Sequence, residues 1–227
     1  MNPTERRSFL AWPGWAHLRF AWLQTALVSA WFALVFIGAN EFTAHRAARW
    51  RVHLDAELRL PLIPAFLVIY MSIYVLFLAA PFVLRTRREI SAMAIAQSLA
   101  ILLAGICFLL IPTQLAYAPP ENLGVWQGLF RFADGLNLDY NLVPSLHVAL
   151  SVACIEMFAA RASFIGKCFL RGWGLLIAAS TLLTHQHHLL DAATGWLLAF
   201  AALWLAQRIE KLFSPSELST PSARYST

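Results

Sequence analysis

The residues able to do chemistry gather in two short stretches. STLLTHQHHLLDAATG, Ser180 to Gly195, carries His185, His187, His188 and Asp191. NLVPSLHVA, nearer the N-terminus, carries Ser145 and His147 directly after Pro144. His187 and Asp191 stand four apart, which puts both side chains on one face of a helix. A carboxylate that accepts a hydrogen bond from one imidazole nitrogen fixes the tautomer and frees the other nitrogen to attack. A second, protonated histidine can pass its proton to a leaving oxygen, and His147 suits that task. Backbone N–H groups around Ser145 to His147, at a helix start, form an anion site that fits phosphate. The chemistry implied is acyl or phosphoryl transfer through a histidine nucleophile. Two other readings stay open. Imidazoles also favour zinc or iron, although the adjacent His187 and His188 point to different helix faces. The same groups could form the proton relay of a non-enzymatic transporter or lipid-binding protein. Neither a metal nor another cofactor is expected.

These residues must be held by elements made for lipid. Of 227 residues, 59% are hydrophobic and 13% charged, where a soluble domain carries about 25% charged. Six apolar segments have about the length of a membrane-spanning helix: Phe20 to Ala39, Pro61 to Leu84, Ser91 to Ile111, Pro144 to Ala160, Phe169 to Thr184 and His188 to Ala206. Lys167 and Arg171 stand at the start of the fifth and can snorkel to the interface. The expected fold is an all-α, polytopic six-helix bundle, a single domain over residues 1–213. Residues 214–227 form a polar, Ser/Pro-rich tail expected to be flexible. Thr43 to Leu60 alternates charge with Trp50, Val52, Leu54 and Leu58, and is predicted to be a helix lying in the interface. Tyr117 to Val143 is long and aromatic, so ordered structure is expected there too. Glu156, deep in the fourth segment, could pair with Gln97 or line a cavity. Cys107, Cys154 and Cys168 lie in or beside apolar runs and read as packing residues.

Charge gives the orientation. Arg46, Arg49, Arg51, Arg59 and Arg131 fall on one side of this topology, and the rest of the 17 Lys and Arg fall on the other. The richer side holds both termini and is expected to be cytoplasmic, so the histidines face outward. A compact bacterial inner-membrane protein with a periplasmic site fits this layout. The basic residues form no stripe, and no nucleic-acid partner is expected.

PSLH followed by HxxxD resembles the second and third signature motifs of the type 2 phosphatidic acid phosphatase superfamily. That resemblance implies a six-helix fold that cleaves or transfers lipid phosphate groups without a metal. It implies His187 as the phosphorylated nucleophile, Asp191 as its orienting carboxylate and His147 as the acid. It also implies that Ser145 contributes to phosphate binding. The chain departs from the pattern in three places. Leu146 replaces the glycine of Ser-Gly-His, Thr181 replaces the arginine of Ser-Arg, and IPTQLAYAPPE lacks the basic residues of the first motif. HQHHLLD is closer to the His-x-His-aromatic-x-x-Asp pattern of sphingomyelin and inositol phosphorylceramide synthases, which move a headgroup to a lipid alcohol. The expected partners are therefore the bilayer, a lipid phosphate and, for a transferase, an alcohol acceptor. Arg131 and His185 are the candidates to supply the positive charge that the clamp lacks.

Overall fold

A computed structural model describes residues 12–120, 123–138 and 140–213. Arg6, Arg7 and Arg224, which enter the charge count, lie outside the described residues, as does the tail expected to be flexible. Eight α-helices occur among the described residues, with no strand: α1 Trp15–Ala44, α2 Leu67–Met71, α3 Ile73–Val83, α4 Arg87–Leu110, α5 Gln127–Asn137, α6 Leu146–Ala159, α7 Phe164–Leu183 and α8 Leu189–Phe213. Each expected apolar segment is helical. Trp15–Ala44, Pro64–Val83, Arg87–Leu110 and Leu189–Lys211 are long and apolar enough to cross a membrane. α6, at 14 residues, is apolar but shorter, and the 20-residue α7 carries Lys167 and Arg171 in its first half.

The helices sort by what they touch. α1 is apolar around its whole circumference and leaves Trp22, Leu23, Leu27, Leu34 and Ile37 exposed, as a lipid-facing helix does. α4 lies in the middle and turns its small residues inward, with Ala96, Ala100 and Ala104 fully buried. Small side chains let helix backbones approach closely where lipid supplies no hydrophobic drive between them. A Cβ at Gly105 would stand 2.3 Å from Val35 Cγ1 of α1. α4 starts with a capping box, Thr86 with Glu89, and Glu89 also pairs with Arg161 just beyond α6.

α6 is almost wholly buried among α3, α4, α7 and α8. Cys154 Sγ lies 4.0 Å from Met93 Sδ of α4. That contact and the Arg161–Glu89 pair set α6 antiparallel to α4, with their Cys154 and Met93 ends level. At 1.5 Å per residue, His147 then sits about 15 Å below the Leu110 end of α4. The start of α6 is recessed within the bundle.

Two expectations need correction. Thr43 to Leu60 is not an interfacial helix. α1 runs on to Ala44, and the rest is irregular except for one 3-10 turn, Glu57–Arg59. The cause is tertiary: Glu57 is buried, and Trp50 N–H bonds to the Pro112 carbonyl, so the segment is spent on contacts with other elements. Glu156 meets neither Gln97 nor a cavity. Arg171 of α7 donates two hydrogen bonds to its carboxylate, at 2.9 and 2.7 Å. A strongly amphipathic helix does occur in the other long connection, α5.

Candidate active site

The turn between α7 and α8 builds one half of the site. His185 takes a left-handed backbone conformation, φ 56°. The N–H groups of Gln186 and His187 both return to the Thr181 carbonyl, at 2.9 and 3.1 Å. This closes α7 in the manner of a helix C-terminus with a left-handed residue beyond it. α8 then starts, and Asp191 caps it. Asp191 Oδ2 accepts the His188 N–H at 2.8 Å and faces His187 Nδ1 at 3.3 Å. His187 therefore precedes α8, and its contact with Asp191 comes from capping geometry rather than from a shared helical face. Asp191 is fully buried, and its Oδ1 has no hydrogen-bond partner among the described residues. With Nδ1–H donating to Asp191, the Nε2 lone pair of His187 is the free one.

α6 supplies the other half. Ser145 Oγ accepts the Val148 N–H at 3.3 Å and so caps the helix, while Ser145 N–H donates to the Asp191 carbonyl at 2.9 Å. The two motifs are thus joined backbone to backbone. Gly195 makes the join possible, since a Cβ there would stand 2.4 Å from the Ser145 carbonyl oxygen. His147 follows in the first turn. Its ring stacks on Tyr70 at 3.8 Å, and its Nε2 lies 2.8 Å from the Tyr70 carbonyl near the end of α2, where helical ladders leave acceptors open. Nε2–H donates there, which leaves Nδ1 for other work. His147 and His187 line one cavity of about 480 Å³, whose walls are otherwise mostly apolar. That size is ordinary for a small-molecule or lipid site.

A second buried cluster braces the first. Glu57 accepts the N–H groups of Leu54 and Leu189, both at 2.8 Å, so it caps α8 from a distant loop. His188 is fully buried and accepts the Ala116 N–H on Nε2 at 3.1 Å, so its proton is on Nδ1. Nδ1 is 3.2 Å from Glu57 Oε1 but makes no hydrogen bond, so the contact is close in distance and poor in direction, an electrostatic one. Tyr117 stacks on both His185 and His188, at 4.0 and 4.8 Å, and His53 lies 5.2 Å from His188. Burial, together with the Glu57 and Asp191 carboxylates, pushes the Tyr117 phenol up to about 12. Burial also holds His188 below the ordinary imidazole range, against the pull of Asp191 and Glu57.

The structure thus brings together His147, His187 and Asp191. The other sequence candidates stand apart from the cavity. Ser145 is fully buried as a helix cap. His185 is tethered through Nε2 to the Leu60 carbonyl at 3.0 Å. Arg131 is exposed on α5, whose Leu136 does line the cavity. Thr181, in the place of the missing arginine, is fully buried and bonds back to Ala178. Glu57, Tyr70 and Tyr117 escaped the sequence reading. A lone glutamate among arginines and aliphatics in LDAELRL was the one available signal, and it looks like surface patterning.

The sequence profile of the PAP2 superfamily matches residues 42–205. In fold, the chain is similar to the crystal structure of Aquifex aeolicus LpxE. The TM-score is 0.51 and the identity 15%, over 70% of this chain and 96% of that one. No curated protein sequence matches the chain.

Proposed function

Because the chain belongs to the PAP2 superfamily, we propose that it is a six-span membrane enzyme that cleaves or transfers the phosphate ester of a lipid. Its nucleophile is His187, its orienting carboxylate Asp191, and its acid and base His147. One observation carries this reading. An imidazole whose Nδ1 is held by a buried carboxylate shares a single apolar cavity with a second imidazole whose Nε2 is already engaged. A pair that served only to pack helices would need neither the cavity nor the matched tautomers.

In the first step the His187 Nε2 lone pair attacks phosphorus, and the bond from phosphorus to the lipid oxygen breaks. Protonated His147 gives its Nδ1 proton to that oxygen, while its Nε2–H stays on the Tyr70 carbonyl. Asp191 stabilises the positive charge that forms on His187. In the second step His147 takes a proton from water or from an alcohol. The resulting oxygen nucleophile attacks phosphorus, and the bond to Nε2 breaks. Water makes the enzyme a phosphatase, and an alcohol-bearing lipid makes it a headgroup transferase. Positioning and charge supply most of the acceleration in such transfers, and no metal takes part. For the phosphoryl oxygens, Arg131 is the candidate cation because its helix borders the cavity. Ser145 and His185 would act through the backbone they hold in place. The distribution of Lys and Arg supports cytoplasmic termini and a site on the opposite face, the periplasm in a bacterial inner membrane.

The test is turnover of radiolabelled lipid phosphates by the purified protein, with and without an alcohol-bearing lipid. Labelled phosphate should be trapped on the wild-type chain as an acid-labile, base-stable adduct. His187→Ala should show neither adduct nor product. Turnover that persists in His187→Ala would move the chemistry elsewhere. No turnover on any lipid phosphate, with proton flux in liposomes instead, would make the cluster a relay.

A further inference from the structure

The cavity continues past the histidines into the bundle. Below them it is walled by apolar side chains from α1, α3 and α4, among them Val28, Phe77 and Met93. It also reaches the outer surface of the bundle, because Tyr74 and Leu78 of α3 line it and are both well exposed. A chain can therefore enter from the lipid side while its headgroup meets His187.

Two residues of the wall carry a buried polar atom with no hydrogen-bond partner among the described residues, Asn141 at Oδ1 and Gln97 at Nε2, and only the Gln97 atom is a donor. Gln97 lines this cavity from the middle of α4, is only 6% exposed, and its Nε2 has no hydrogen-bond partner among the described residues. A buried amide with an unmade hydrogen bond costs stability, and polar side chains in a membrane helix normally bond across to a neighbour. Gln97 is also at a telling depth. Since Cys154 is level with Met93, Gln97 is one helical turn, about 5 Å, deeper than His147. In an acyl lipid phosphate, the ester or amide carbonyl next to the phosphorylated backbone lies a few bonds from phosphorus. An isoprenyl phosphate carries only carbon and hydrogen beyond its phosphate ester.

Building on the lipid-phosphate reading above, we propose that Gln97 is a specificity residue whose side-chain N–H donates to a carbonyl oxygen close to the substrate's phosphate. The preferred substrates are then acyl lipid phosphates rather than isoprenyl phosphates. A site built to hydrogen-bond a substrate group discriminates strongly against the analogue that lacks it, because its own polar atom is then left unpaired.

The experiment compares three lipid phosphates in mixed micelles: a diacyl ester, the dialkyl ether of the same length, and an isoprenyl phosphate. Wild type should favour the ester over the ether by roughly tenfold in kcat/KM, the worth of one good hydrogen bond. Gln97→Leu should erase that preference by slowing the ester alone, and Gln97→Met should do the same. Equal use of ester and ether by wild type, a preference for the isoprenyl phosphate, or an equal loss on all three in both variants would each overturn the proposal. Binding of the same three lipids to inactive His187→Ala protein separates the two readings. Equal binding of ester and ether sinks the role of Gln97, whereas no binding of any of them sinks the lipid-phosphate reading beneath it.

Discussion

Glu57→Ala should do more damage than any other single change outside the histidine motifs. The carboxylate is 6% exposed and receives two backbone N–H groups while facing the His188 ring. Its loss unpairs the part-buried Leu189 N–H at the start of α8 and removes the carboxylate that faces the fully buried His188 Nδ1–H. The Leu54 N–H is part-buried and can turn to water. Stranding a buried donor costs about 1–3 kcal/mol, and the carboxylate's attraction to the start of α8 adds about 0.5 kcal/mol. Because the two losses share one site they add incompletely, and about 3 kcal/mol is expected. For a chain of this size that is a fall of about 6–12 °C in melting temperature. Glu57→Gln keeps the shape but turns an NH2 toward a backbone N–H, and should lose about half as much. The assay is thermal unfolding in detergent, with turnover at a temperature where all variants stay folded. Residual turnover should drop, since the Leu189 N–H that Glu57 fixes opens the helix holding Asp191. An alanine variant that melts within about 2 °C of wild type would refute the idea that this distant loop caps α8.

Asp191→Asn should keep the fold and lower turnover about 10³–10⁴-fold, the scale seen when a catalytic imidazole loses its orienting carboxylate; a loss under tenfold would remove Asp191 from that role. Gly195→Ala should abolish turnover and destabilise by about 1–3 kcal/mol, because the new methyl meets backbone rather than a yielding side chain; wild-type kinetics would show that the α6–α8 join tolerates slack. The buried His188 has its folded pKa lowered, so stability is full above the ordinary imidazole value of about 6.5 and is lost as pH falls through it toward the folded value. Melting curves between pH 8 and 5 (the assay range) should converge for wild type and His188→Gln in acid, and parallel curves would contradict this. Glu156→Gln should break the pair with the exposed Arg171 and leave kcat/KM within twofold, as surface pairs allow; a large kinetic loss would give that pair a part in the reaction.

Local patterns in the sequence carried far, and long-range contacts did not. His147, His187 and Asp191 stand out as candidates because a proline-led helix start and a histidine four residues before an aspartate are local signals, although the last two meet by capping rather than on one helical face, and the apolar segments are helices for equally local reasons. What joins the two motifs could not be read. The Ser145–Asp191 backbone bond spans two helices, α6 and α7, and the turns after them, and Gly195 looks like any small residue in a span. Thr43 to Leu60 misled because alternating charge fits a helix on an interface as well as a loop pinned by Glu57. Glu156 stands out in its apolar run, but its partner Arg171 lies across a turn, near a helix start where a basic side chain also fits snorkelling. Gln97 shows no pattern at all, and only burial reveals that its amide is unpaired.

The recessed start of α6 sets what kind of dilution this protein should feel. On the proposed reading, with His147 about 15 Å below the end of α4 and the cavity entered through exposed side chains of α3, a headgroup would reach the histidines by sideways diffusion within one leaflet. Rates would then follow the mole fraction of substrate in that leaflet rather than moles per litre. Adding inert detergent at fixed substrate would slow the protein, and a water-soluble phosphate ester of the same headgroup would compete poorly at any concentration.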